Sequence, residues 1–206
     1  MMVLFSRRSP RKLLTMTNPV KIVMVLDSSG SMQSLKEATI NAHNEFIGKQ
    51  KSLEGEATYS LYTFSSNVND PITASIDKAT ELNPFNYRPG GGTALYDAIG
   101  KAISVEVTSG SQGILVILTD GEENGSRLFN KDQIAKMIKD AEDAHGWEVV
   151  FLGANIANFT QFTQSLNLKA VNSMTLECTA KGMHEGYASI GATTTAYRAS
   201  KLKMHA

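Results

Sequence analysis

Apolar and polar positions follow two rhythms along this chain. The unbroken apolar run at 22–26 and the run Ile114, Leu115, Val116, Ile117 and Leu118 after Gly113 predict strands buried on both faces. Residues 147–155 predict a third such strand, breaking at Gly153. Residues 57–65 alternate instead, with Tyr59, Leu61 and Thr63 on one side and Tyr62 and Phe64 towards the other. After a turn at 67–70, residues 71–76 predict a short strand pairing back antiparallel, and Pro71 suits a sheet edge. Residues 168–171 predict a last, shorter strand.

Between the strands the spacing becomes helical. Leu35, Thr39, Ala42 and Phe46 recur at intervals of four, three and four, one face of a helix, with Ser34 and Glu37 as a capping pair at its start and His43 beside that face, expected as a partly buried or surface histidine rather than a ligand. Residues 94–105 form a second helix. Asn130 or Asp132 caps a third, whose apolar face is Ile134, Met137, Ile138 and Ala141, and Gly146 ends it where a left-handed residue is wanted. Phe159, Phe162 and Leu166 mark a short helix. Met183, Tyr187, Ile190, Thr194 and Tyr197 stripe a long last one, in which Gly182 and Gly186 predict close packing against the sheet. Strand and helix alternating over 20–203 imply an α/β fold: a doubly wound, mostly parallel central sheet with one antiparallel edge strand and helices on both faces.

The candidate chemistry sits at strand ends. The first buried strand runs into Asp27-Ser28-Ser29-Gly30-Ser31, and the strand 113–118 runs into Thr119-Asp120-Gly121. Carboxylates and hydroxyls there stand at the carboxyl edge of the sheet, where open α/β folds bind ligands. Pro89-Gly90-Gly91-Gly92-Thr93 adds a flexible loop with one hydroxyl before a helix, its glycines read as freedom for Thr93 to approach or leave. Oxygen-only donors suit a hard divalent cation better than zinc or copper. The bland reading of Ser29 and Ser31 is as helix caps. The glycine loop is no phosphate loop, because Lys101 comes too late.

Asp27-x-Ser29-x-Ser31, Thr93 in its glycine-rich loop and Asp120 in Thr-Asp-Gly resemble, in order and spacing, the metal-ion-dependent adhesion site of von Willebrand factor A-type domains. The resemblance covers nearly the whole chain and implies a Rossmann-like fold and a metal site of Asp27, Ser29, Ser31, Thr93 and Asp120 holding Mg2+ or Mn2+. It implies that Ser29 and Ser31 coordinate directly, that Thr93 does so directly or through water, and that both aspartates act largely through bound waters. An open coordination position would then take an exposed Asp or Glu of a partner protein. The function expected is a non-enzymatic, metal-dependent protein-binding module. The competing readings are a metal-dependent phosphohydrolase with a strand-end aspartate as nucleophile, against which Ser29 stands where a second aspartate belongs, and a scaffold with a purely structural metal.

Composition narrows the setting. Lys+Arg and Asp+Glu both number 20 in 206 residues, so nothing points to nucleic acid. Arg7, Arg8, Arg11 and Lys12 make residues 1–17 a basic extension, expected to be disordered and lacking a secretory layout, ahead of a single domain at 18–206. No run approaches membrane-spanning length, which predicts a soluble protein. The lone Cys178, expected as a small buried residue, excludes an internal disulfide and fits a reducing, cytoplasmic location. Glu122, Glu123, Asn124, Gly125 and Ser126 read as an acidic, solvated and flexible loop beside the site. Zinc-type pairing is absent from the four histidines.

Overall fold

A computed structural model describes residues 19–108 and 110–203; the basic extension 1–17 lies outside them. Among the described residues six strands form one sheet: β1 (Val20–Asp27), β2 (Ala57–Phe64), β3 (Ile72–Ser75), β4 (Gly113–Thr119), β5 (Glu148–Gly153) and β6 (Ser173–Thr175). Their order is β3-β2-β1-β4-β5-β6. β3 alone runs antiparallel, at the edge beside β2, as the alternation and Pro71 predict. Along β1 the side chains divide between the two faces. Ile22, Met24 and Leu26 pack with α1 (Lys36–Lys51) and α5 (Ala180–Lys203), whereas Val23 and Val25 pack with α2 (Leu95–Glu106), α3 (Lys131–Asp143) and residues Leu166 and Leu168 that follow α4 (Phe159–Ser165). All five are 0 % exposed, which is why this run is continuously apolar rather than alternating.

Four local expectations fail. Ser34 does not cap α1: residues Gly30–Leu35 form a 3-10 turn that runs straight into the helix, and Ser34 Oγ reaches only the carbonyl of Ser31. The last strand is displaced from 168–171 to Ser173–Thr175, where Phe151, Leu152 and Gly153 of β5 offer a partner, and 3-10 residues Ala170–Asn172 lead into it. Cys178 is exposed, just past that strand, and its Sγ accepts a hydrogen bond from Asn155 Nδ2. His43 is fully buried. Capping of α3 is resolved in favour of Asn130, which forms a reciprocal box with Gln133.

The long α5 packs on both the sheet and α1. A Cβ on Gly186 would lie 2.5 Å from Leu176 and 3.1 Å from Leu152, so this glycine lets the helix approach β5. Gly182 serves its own turn instead, facing the Glu177 carbonyl. Arg198, 2 % exposed, donates to the carbonyl of Gln50 in the last turn of α1, one the helix itself leaves free, and to the carbonyls of Glu54 and Gly55 just beyond the helix.

His43 lies between these helices, its Nε2 2.7 Å from Tyr59 Oη and its ring edge-on to Tyr187. Burial lowers its pKa from 6.5 to about 4. The unfolded chain therefore binds a proton that the folded state refuses between those values, and stability contributed by the neutral ring is lost as pH falls from 6.5 towards 4. At about 1.4 kcal/mol per pH unit the loss amounts to about 3 kcal/mol. Denaturant melts of the wild type at pH 7 and pH 4.5 should show most of this difference, and His43→Phe should flatten it, whatever the variant's absolute stability.

Candidate functional site

The strand order reverses between β1 and β4: from β1 the chain winds outward through β2 to β3, and from β4 outward through β5 to β6. Such a switch point leaves a crevice at the carboxyl ends of the two strands. Asp27 is the last residue of β1 and Asp120 the first after β4, with Leu26 and Leu118 in register just below. The topology thus brings together two aspartates that are 93 residues apart in the sequence.

Each carboxylate is held. Ser29 N donates to Asp27 Oδ1 at 2.6 Å and Thr119 Oγ1 to Asp27 Oδ2 at 2.5 Å. Ser31 Oγ donates to Asp120 Oδ1 at 2.5 Å, and the Ser29 and Ser31 hydroxyls are 3.0 Å apart. Tyr87 Oη donates to the Asp27 carbonyl at 2.7 Å from below. Ser29 stands at the head of the 3-10 turn without a side-chain capping bond, so the helix-cap reading of these serines does not hold. Thr93, 3 % exposed, is brought to the same spot: a Cβ on Gly121 would lie 3.6 Å from Ser31 Oγ and 3.7 Å from Thr93 Oγ1. Asp27, Ser29, Ser31, Thr93 and Asp120 therefore converge.

The glycine loop is pinned rather than free. Gly90 N donates to the Ser28 carbonyl, Gly30 N to the Gly91 carbonyl and Gly92 N to Ser66 Oγ. Gly91 needs its glycine, with φ at +81° and Ser66 Oγ 2.7 Å from where a Cβ would be. The acidic loop is likewise ordered. Glu123 accepts from the amides of Tyr96, Gly125 and Ser126 and from Ser126 Oγ, and Glu122 accepts from Ala157 N. Asn124 Oδ1 accepts from Thr93 N while Asn124 N and Gly125 N donate to the Thr93 carbonyl.

Asp97 and Thr119 carry roles that the sequence reading did not assign. Asp97, in the first turn of α2, accepts from the amides of Arg127, Leu128 and Phe129, each at 2.9 Å. That grip is long-range, which hides it from local pattern. Phe129 lies so close over α2 that a Cβ on Gly100 would be 2.5 to 2.7 Å from three of its ring atoms. Gly100→Ala gains helix propensity of about 1 kcal/mol but must push the ring aside, at a cost of about 1–3 kcal/mol. Its melting temperature should fall or stay level; a clear rise would show that the ring moves freely.

Burial raises the pKa of both aspartates, and the Asp120 charge adds to the rise at Asp27. Among the described residues neither forms an ion pair. Two buried carboxylates without a counter-cation, beside three hydroxyls, are an all-oxygen donor set that fits a hard divalent ion. No three His, Cys, Asp or Glu side chains cluster to hold a metal among the described residues, so any coordination here depends on hydroxyls. No helix among them is long and apolar enough to cross a membrane.

Comparison with solved structures places the fold among proteins of low sequence identity. The chain is similar to the pilus adhesin SpaC from Lactobacillus rhamnosus GG in its open conformation, with a TM-score of 0.66, 17% identity, and 86% of this chain and 30% of that one covered. It is similar to proximal thread matrix protein 1 from the mussel byssus, described with a zinc-occupied MIDAS motif, at a TM-score of 0.59, 14% identity and coverage of 84% and 47%. Manganese-loaded TRAP protein of Plasmodium vivax gives 0.56, 14% identity and coverage of 84% and 72%. The chain thus spans less than half the length of the first two. Among curated protein sequences none matches it. The von Willebrand factor type A domain model matches residues 21–189, and with that match over the sheet and both faces of helices, this chain belongs to the von Willebrand factor type A domain family.

Proposed function

We propose that this domain is a metal-dependent protein-binding module that captures an exposed Asp or Glu of a partner protein. Domains of this family generally mediate protein–protein adhesion, some through a metal at the adhesion site. The observation that carries the reading is the pair of buried aspartates, in no ion pair among the described residues, beside the hydroxyls of Ser29, Ser31 and Thr93. These five residues would hold Mg2+ or Mn2+, which would supply a positive, oxygen-seeking centre. The hydrogen bonds to Asp27 and Asp120 orient the carboxylates; the exposed side of Ser31 leaves the approach open to a partner. The neighbours described as zinc-occupied and manganese-loaded support a divalent ion at such a site.

The phosphohydrolase reading is weaker. Asp27 is 0 % exposed and both its oxygens are engaged, a poor state for a nucleophile. We read residues 18–206 as the domain and 1–17 as an extension, which the family match from residue 21 supports. The single thiol, Cys178, suits a reducing, cytoplasmic setting.

Calorimetric titration of Mg2+ and Mn2+ into the chelated protein tests the proposal. Saturable binding is expected, and a metal held at 100 times its Kd should stabilise the fold by about 2.7 kcal/mol. Ser29→Ala should lose both while melting normally without metal. Unchanged metal binding by Ser29→Ala would remove it from the donor set, and unfolding of the wild type on chelation alone would favour a purely structural ion.

A further inference from the structure

A groove of 570 Å3 runs along α2 between that helix, the loop after β2 and the loop 125–129. Val68, Phe129, Leu128 and Val105 give it an apolar lining, and the last two are 78 % and 52 % exposed, more apolar surface than an isolated exposed residue accounts for. Its upper end adjoins the candidate site. Ser66, on one bank, accepts from Gly92 N, and Gly125, on the other, donates to the Thr93 carbonyl. The groove is therefore continuous with the place where a partner carboxylate would bind.

Its charge is also telling. Arg127 is exposed and forms no ion pair among the described residues. Lys101 pairs with Asp70, whose side chain is 98 % exposed, an ion pair weak enough for another carboxylate to replace. The carboxylate of Asp97, at the groove floor, is consumed by three backbone amides and offers no repulsion comparable to a free acid.

We propose that this groove docks an apolar, acidic segment of the same partner whose carboxylate the metal site captures, a reading that rests on the proposed function. The span of α2 from Asp97 to Val105 is about 12 Å at 1.5 Å per residue, the length of about four extended residues. The segment recognised is thus one acidic residue at the metal, followed by about four residues in which apolar side chains enter the groove and a second acid meets Arg127 or Lys101.

Selection of a random-peptide library on the immobilised full chain in magnesium tests this, followed by fluorescence anisotropy with fluorescein-labelled peptides of the selected consensus. Expected are peptides with an acid followed by apolar residues and a second acid. Their affinity should fall at least tenfold in Ser104→Trp, which fills the groove from an exposed helix position, in Arg127→Glu, and in chelator. Magnesium-dependent peptides indifferent to Ser104→Trp and Arg127→Glu would overturn the groove and leave the metal reading standing. Groove-dependent binding that persists in chelator and in Asp27→Asn would overturn the metal reading and the shared-partner proposal with it. A dimer in sedimentation that Ser104→Trp dissolves would overturn it in favour of a second copy of the chain, and a library yielding no binder would overturn it outright.

Discussion

Asp27→Asn should abolish saturable magnesium and manganese binding, lowering affinity at least a hundredfold, while the metal-free protein melts no lower than wild type. The two halves of this expectation come from the same geometry. Asp27 is fully buried, close enough to Asp120 for their charges to repel, and has no cation beside it among the described residues. Removing its charge relieves an electrostatic cost in the metal-free state. The hydrogen bonds survive the substitution, because the amide oxygen can still accept from Ser29 N. Its NH2 group would face Thr119 Oγ1, which can turn its own proton to the Gly121 carbonyl 3.0 Å away. A bound divalent ion reverses the balance, since it depends on that charge. Titration calorimetry and thermal melts with and without chelator read both effects. Retained binding would place the ion elsewhere, and a variant that fails to fold would make Asp27 a structural residue first.

Asp97→Ala should be the most destabilising single change near the site. Three amides, those of Arg127, Leu128 and Phe129, lose their common acceptor at once. Hydrogen bonds to a charged group contribute about 1.5–3 kcal/mol each, but water can reach part of this turn, so a total of about 3 kcal/mol is expected. For a domain of this size that lowers the melting temperature by about 10 °C. The loop so released also carries Asn124 and Gly125, which hold Thr93 from both sides of its peptide. Metal affinity should therefore fall with stability, by about tenfold. Asp97→Asn, keeping one oxygen, should recover part of each loss. Equal melting of wild type and Asp97→Ala would show that the loop is held mainly by Glu123, whose carboxylate binds its other half.

These two residues mark what pattern can and cannot disclose. The buried strands of β1, β4 and β5 were legible because burial on both faces demands uninterrupted apolar side chains, and β2 and β3 because alternation and Pro71 describe a sheet near its edge. Asp27, Ser29 and Ser31 were legible as candidate donors, since a strand-end acid followed by hydroxyls at fixed spacing is a local arrangement, whereas Thr93 in its glycine loop and Asp120 at a second strand end were joined to them as one site through their likeness to the family's motif. Short-range order also disclosed the left-handed Gly146 and narrowed the cap of α3 to Asn130 or Asp132, of which the structure selects Asn130.

What stayed hidden depends on partners distant in the chain. His43 reads as a polar residue beside a helical stripe until Tyr59 and Tyr187 close over it. The last strand forms where β5 presents a free edge, not where its own residues are most apolar. Glu123 reads as part of a solvated turn and Asp97 carries no local signal at all, yet each organises a turn by accepting several amides, Asp97 from residues some 30 positions away. The alternation of strands and helices, the two apolar faces and the oxygen donors are written into the chain, because periodicity and residue chemistry act over a few residues. That those donors meet, that the glycine and acidic loops are fixed around them, and that an apolar groove opens beside them follow from how the chain folds up. Those outcomes depend on the reversal of strand order between β1 and β4 and on hydrogen bonds that no local window contains.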